Sequence, residues 1–256
     1  MTTRNREKIS PLNEKIPLHY PGQSLDDALD SLKLDLFECY LAPIVAVFLA
    51  LIEWYRSFLK FPPQPVTFTV IAALVLLYSI QKGRPLLRKR EALRLGRDGE
   101  RFLGQYLEEL RSQGFHVLHD LNSGRGNIDH LLIGEKGIFT IETKTITKPR
   151  DLAKIHYNGE SLTIEGFPPT RDPIAQARAE RTWVTDKLKA LTGKDFPVKA
   201  VVVYLGWWVE GDQHRDVWVL NEKAFAKFLK KEPAQIKTDD VEIAYAQLSN
   251  YMRTIG

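Results

Sequence analysis

Asp129, Glu142 and Lys144 are the residues whose types and spacing point most directly to chemistry. Asp129 stands near the start of one apolar run, Ile128-Asp-His-Leu-Leu-Ile-Gly, and Glu142 and Lys144 stand two apart in the next, Ile138-Phe-Thr-Ile-Glu-Thr-Lys-Thr. In an extended chain the period of two puts Glu142 and Lys144 on one face. An acid and an ammonium among Ile and Phe are costly to bury unless they are paired or hold a metal. Carboxylates from adjacent strands supply hard oxygen donors for Mg²⁺ and leave positions for water. Lys144 beside such an ion could orient or deprotonate the attacking water and offset charge on a phosphorane-like transition state. The plainer alternatives are an Asp129 that caps a turn after Asn127, and a Glu142–Lys144 ion pair on an exposed sheet edge. Ile138, Phe139 and Ile141 argue against an exposed edge.

The elements that must position these residues follow from the pattern around them. Ala92, Leu93, Leu95, Phe102, Leu103, Tyr106, Leu107 and Leu110 recur at helical spacing, and Gly114 ends the run. The short apolar runs from Phe115 to Thr145, split by Asn122-Ser-Gly-Arg-Gly-Asn and Glu135-Lys-Gly, predict a three-stranded antiparallel meander. Tyr157-Asn-Gly-Glu predicts a hairpin. Asp172 as cap and Pro173 as first helical residue open a helix to about Leu191. Val198-Lys-Ala-Val-Val-Val-Tyr-Leu reads as a buried strand and Val217-Trp-Val-Leu as a shorter one, with helices near 222–231 and 239–254. The order helix, three strands, helix, strand is an α/β sandwich.

Four pieces in sequence, Gly96-Arg-Asp-Gly-Glu100, Asn127-Ile-Asp129-His, Gly137-Ile-Phe-Thr-Ile-Glu142-Thr-Lys144 and Asp172-Pro-Ile-Ala-Gln176, resemble the nuclease-related domain, NERD. That family is a branch of the PD-(D/E)xK restriction-endonuclease-like superfamily, and the resemblance covers about residues 92–205. It implies an αβββαβ core, Asp129 and Glu142 as metal ligands, and Lys144 as the catalytic lysine. It also implies Glu100 as an auxiliary acid on the first helix and Gln176 as a helper on the later one. The proline usual before the first catalytic Asp is replaced here by Ile128.

The front of the chain has a different character. Phe61 to Gln81 is 21 residues without a charge, about the length a bilayer core demands, and Cys39 to Ile52 is a second uncharged run of 14. Trp54, Tyr55, Arg56 and Lys60 suit a membrane interface, and Pro62, Pro63 and Pro65 break the helix between the runs. Neither run has a polar face, so the pair reads as a transmembrane hairpin rather than two buried helices of a soluble domain. The expected organisation is a leader at 1–35 with a short amphipathic helix capped by Ser24, a hairpin at 36–81, a basic linker at 82–91 and the nuclease-related domain with a helical extension at 92–256. The leader lacks the charged start and cleavage site of a secretory signal.

The formal charge of +4 is local to this arrangement. Residues 1–81 sum to −1, residues 91–256 sum to zero, and Lys82-Gly-Arg84-Pro-Leu-Leu-Arg88-Lys89-Arg90 carries +5. By the positive-inside rule that segment places both termini on the cytoplasmic side of a two-span protein. The single cysteine, Cys39, excludes an internal disulfide and a Cys-rich zinc module. His116, His119 and His130 lack partners at zinc-ligand spacing, and His130 should face away from Asp129 as a core or interface histidine. Arg125, Lys148 and Arg150 could touch phosphates, and one of Trp207 and Trp208 should be core while the other faces out. No phosphate-cradling loop, nucleophile elbow or HExxH helix is present, which leaves ATPase, serine hydrolase and zinc protease without a starting residue.

The function expected is a membrane-anchored Mg²⁺-dependent phosphodiesterase, with Mn²⁺ able to substitute, acting on nucleic acid at the cytoplasmic face and on DNA in preference to RNA. The alternative is a catalytically silent nuclease fold that localises nucleic acid or a protein at the bilayer. The neutral charge of 91–256 favours that alternative, unless Arg178, Arg181, Lys187 and Lys189 make one basic face on their helix.

Overall fold

The computed structural model describes residues 19–59, 64–147, 154–211 and 216–255. Lys148, Arg150, Lys60, Pro62, Pro63 and the first half of the leader lie outside the described residues. The chain divides into a helical unit, Ser24–Asp98, and an α/β unit formed by Gly99–Gly256 with the segment before Ser24.

The helical unit is built on α1 (Gln23–Phe58) and α2 (Pro65–Glu108), the second of which continues into the other unit. The leader's amphipathic stretch joins α1 without a break, so Ser24 lies inside the helix rather than capping it. The basic run likewise lies within α2, with Pro85 in the helix interior. On α1 the buried positions Leu29, Leu32, Leu36, Cys39, Pro43, Ala50 and Glu53 recur at steps of three, four or seven, the seam by which two helices pack. Ala72, Ser79 and Gly83 are buried on α2. Small residues bring the backbones close: the Cys39 thiol donates to the Ser79 carbonyl at 3.2 Å, and a Cβ on Gly83 would lie 3.4 Å from Cys39 Sγ. Outside this seam Ile44, Phe48, Leu51, Leu74, Leu77 and Tyr78 are exposed. Less than a quarter of either apolar stretch is buried, unlike the core helix of a soluble domain, and both helices are long and apolar enough to cross a membrane.

In the α/β unit the end of α2 and a 3-10 turn (Glu109–Gln113) lead to β1 (His116–Asn122), β2 (Asn127–Gly134) and β3 (Gly137–Lys144). β4 (Lys154–Tyr157) and β5 (Leu162–Ile164) form the expected hairpin, with Tyr157 opposite Leu162. Then come α3 (Pro173–Thr192), β6 (Val198–Tyr204), β7 (Trp208–Gly211), β8 (Val217–Leu220), α4 (Glu222–Lys231) and α5 (Thr238–Ile255). The main sheet has the order β1-β2-β3-β6-β8, antiparallel through β3 and parallel from β3 to β8. The αβββαβ order expected from the sequence is therefore present. A second small sheet, β5-β4-β7, was not foreseen beyond its hairpin.

Helices cover both faces of the main sheet. On one, Leu103 and Leu107 of α2 and Phe225 and Leu229 of α4 pack against Leu132, Phe139, Ile141, Val201 and Val203. On the other, Val184 and Leu188 of α3 and Val241 and Leu248 of α5 pack against Leu131, Ile133 and Ile138. Burial on both faces explains why β3 and β6 read as continuous apolar runs rather than alternating ones. The β3 strand sits mid-sheet, paired on both sides, so Glu142 and Lys144 are not an ion pair on an exposed edge.

Candidate active site

Three strands bring carboxylates into one row. The β1–β2 register pairs His119 with His130 and Leu121 with Ile128, which sets Asp120 opposite Asp129. The β2–β3 ladder pairs His130 with Ile141, and the next position along sets Asp129 beside Glu142. There the side chain takes over from the backbone, as the Thr143 N–H donates to Asp129 Oδ2 at 2.7 Å. Asp129 thus anchors the end of the ladder and does not act as a turn cap. Asp120 has a left-handed φ of 52°, an unusual conformation for a non-glycine residue, and its Oδ1 accepts from Asn127 Nδ2 at 2.7 Å.

Lys144 and the α3 residues complete the row. Lys144 Nζ donates to Glu142 Oε1 at 2.5 Å and to Gln176 Oε1 at 3.2 Å, and Gln176 Nε2 donates to Glu180 Oε1 at 3.0 Å. The Asp172 cap fixes this helix start, accepting from the N–H groups of Ile174 and Ala175, so Gln176 and Glu180 fall one turn apart on the face that meets β3. Glu100 arrives from α2. Gly99 permits that approach, because a Cβ there would lie 1.7 Å from Thr145 Oγ1 just past β3.

The electrostatics of the cluster are those of too many acids in too little water. Loss of hydration, then the charges of Asp120 and Glu142, push the Glu100 carboxyl up to about 8, with Lys144 opposing. Burial, then Glu142 and Glu100, holds Asp129 well above the usual carboxylate range against the lowering effect of the Thr143 N–H. Burial, then Glu142, raises Glu180 to about 9. Among the described residues Glu142 Oε2 and Glu180 Oε2 are buried without an N–H or hydroxyl donor, and the two carboxyls lie within reach of one another. Hard anionic oxygens, desolvated, mutually repelling and partly unpartnered, fit a divalent cation. Among the described residues no three of His, Cys, Asp and Glu form a ready cage. Asp129 and Glu142 are the carboxylates that adjacent strands set side by side.

All five residues singled out in the sequence, Glu100, Asp129, Glu142, Lys144 and Gln176, come together, and two more join them. Asp120 could have been found from the hairpin register, which places it across from Asp129. Glu180 could have been found as the residue one turn beyond Gln176. The histidines lie elsewhere: His130 is fully buried, its Nδ1 is 2.9 Å from His119 Nδ1, and His119 Nε2 is 2.8 Å from Glu108 Oε1. Burial holds both imidazoles below their ordinary value. Trp207 is core and Trp208 is exposed. The expected basic face of α3 is largely compensated. Arg178 and Arg181 pair with Asp216, Lys189 pairs with Asp195, and Lys187 lies over the Trp183 and Tyr251 rings.

No curated protein and no solved structure matches this chain. Residues 95–205, the stretch that contains every site carboxylate together with Lys144 and Gln176, match the family model of the nuclease-related domain.

Proposed function

We propose that the α/β unit is a Mg²⁺-dependent phosphodiesterase acting on nucleic acid, DNA in preference to RNA, with Mn²⁺ able to substitute. The convergence of Asp129, Glu142 and Lys144, with Glu142 Oε2 buried away from any N–H or hydroxyl donor among the described residues, carries this reading. The match to the nuclease-related family supports a nuclease-like activity and a divalent metal, and the donor chemistry favours a hard ion. In this reading Asp129 and Glu142 hold the ion, which when bound supplies Lewis-acid stabilisation of the phosphate oxygens. Lys144 Nζ, held by Glu142 and Gln176, would orient the attacking water, take up the proton it loses and, as an ammonium, offset charge as it develops. Gln176 keeps the ammonium in place, and Glu100 orders water beside the ion.

The exposed apolar faces of α1 and α2 support a bilayer anchor, since large contiguous apolar surface marks a membrane or protein contact. The cations from Lys82 to Arg90 support a two-span topology with both termini cytoplasmic.

A second reading, a silent binding module, is favoured by the neutral charge of residues 91–256 and the paired cations of α3. Cleavage decides between them. Full-length protein in lipid nanodiscs is incubated with labelled single- and double-stranded DNA and RNA in Mg²⁺, Mn²⁺ or EDTA. The nuclease reading expects metal-dependent cleavage that is lost in Lys144→Ala with ion binding retained, and both lost in Glu142→Ala. Unchanged ion binding in Glu142→Ala would sink the metal assignment. Retained ion binding with no cleavage of any polymer would favour the binding module.

A further inference from the structure

Beside the carboxylate row lies an opening of about 590 Å³ whose walls include Lys144, Phe167, Pro168, Arg171, Tyr204 and Trp207. Tyr204 and Trp207 are buried and form its base, whereas Phe167 leaves 74% of its surface exposed. A tight turn holds that ring up: Ile164 and Phe167 exchange backbone hydrogen bonds of 2.8 and 3.0 Å across Glu165 and Gly166, both with left-handed φ. Pro168 follows and stiffens the exit. A large aromatic residue displayed on a tight turn, with an ammonium of the reaction centre in the same wall, is a prepared surface with no occupant among the described residues.

The other side of the centre is polar. A groove of about 780 Å³ there is lined by Arg125, Asn127, Arg171, Gln176, Glu180 and Trp183. Arg171 borders both spaces, so the reaction centre lies between them. Arg125 and Arg171 are exposed and, unlike Arg178 and Arg181, make no ion pair among the described residues. Free guanidinium groups at the rim and an aromatic face within call for a ligand that joins an anion to a flat apolar ring. A nucleotide is such a unit.

We infer that the opening at Phe167 receives one unpaired nucleobase of the substrate strand while Arg171 and Arg125 hold flanking phosphates, so that single-stranded nucleic acid is the preferred substrate class. This rests on the nuclease reading and narrows it. A base inside a duplex has both faces covered by its neighbours and must leave the stack to reach Phe167, whereas a single strand offers it directly.

The test reads base stacking and needs neither metal nor cleavage. Full-length protein in nanodiscs, in EDTA, is titrated into an oligonucleotide containing the fluorescent base 2-aminopurine, either single-stranded or annealed to its complement. The wild type should quench the single strand and bind the duplex more weakly. Phe167→Ala should weaken single-strand binding by about 5- to 150-fold, the range for loss of one base–aromatic stack, and abolish the quenching, while Phe167→Trp retains both. Phe167 is exposed, so its truncation leaves the core intact. Equal binding by wild type and Phe167→Ala, or equal binding of duplex and single strand, would overturn the inference. An active wild type with an indifferent Phe167→Ala variant would overturn this inference alone. An inert wild type that still quenches would overturn the nuclease reading and leave the base pocket standing.

Discussion

Binding of Mg²⁺ to the ion-free protein at pH 7 should expel about two protons per ion from Glu100 and Glu180, with Asp129, also held above the usual carboxylate range, adding to them. Glu100 is held up to about 8 and Glu180 to about 9, so at pH 7 the first carboxyl is about nine-tenths protonated and the second almost wholly so. Neighbouring carboxylates contribute to both shifts, Asp120 and Glu142 at Glu100 and Glu142 at Glu180. A divalent charge held by Asp129 and Glu142 inverts that local field. Both carboxyls then move back toward the ordinary value near 4.5 and release their protons. Calorimetric titration in two buffers of different ionisation enthalpy counts those protons. At pH 10 both groups are already ionised and the count should fall by about two, while at pH 7 Glu180→Gln and Glu100→Gln should each lower it by about one. The same shifts have a second signature. A carboxyl raised on folding costs nothing below its unfolded pKa, and the cost grows as pH climbs from about 4.5 to the folded value, so the ion-free fold should lose stability between about pH 4.5 and 9. A zero count at pH 7, or the same count at pH 7 and pH 10, would refute the electrostatic description of the cluster.

Three further outcomes are expected. Gly99→Ala places a Cβ 1.7 Å from Thr145 Oγ1 and should destabilise the α/β unit by about 1–3 kcal/mol, read as a lower denaturation midpoint; an unchanged midpoint would mean that α2 does not approach β3 this closely. Asp172→Ala removes the acceptor of two α3 N–H groups and should cost about 0.5–2 kcal/mol, with slower cleavage because Gln176 begins the next turn. Alkaline carbonate should leave the full-length protein in the membrane pellet and should release a variant lacking residues 36–81; complete extraction of the intact chain would remove the bilayer anchor.

Much of the α/β unit was legible because its local signals agree with its tertiary structure. Asp172 before Pro173 announced a helix start, the Gly- and Asn-rich breaks announced the meander, and Asp129, Glu142 and Lys144 stood out as charges inside apolar strands. Other features had no local signal. Gly83 and Pro85 are poor helix formers, and the run from Lys82 to Arg90 read as a linker, yet α2 continues through it. The strand β7 is four residues long and owes its existence to a parallel partner, β4, more than fifty residues away. Asp120 and Glu180 carry no local signal, since only the β1–β2 register and the phase of α3 aim them at the cluster. The cations of α3 looked like a binding face because Asp216, which neutralises two of them, is distant in sequence.

Asp129 and His130 serve opposite faces of β2, the one in the carboxylate row and the other in a buried imidazole pair. Strand periodicity makes that division indivisible. Deleting a single residue from β2 ahead of Asp129 would shift the strand by one position, moving the His130 imidazole among the acids and the Asp129 carboxylate to the buried place of Ile128. Frame-preserving changes of length in β2 should therefore be tolerated only in steps of two.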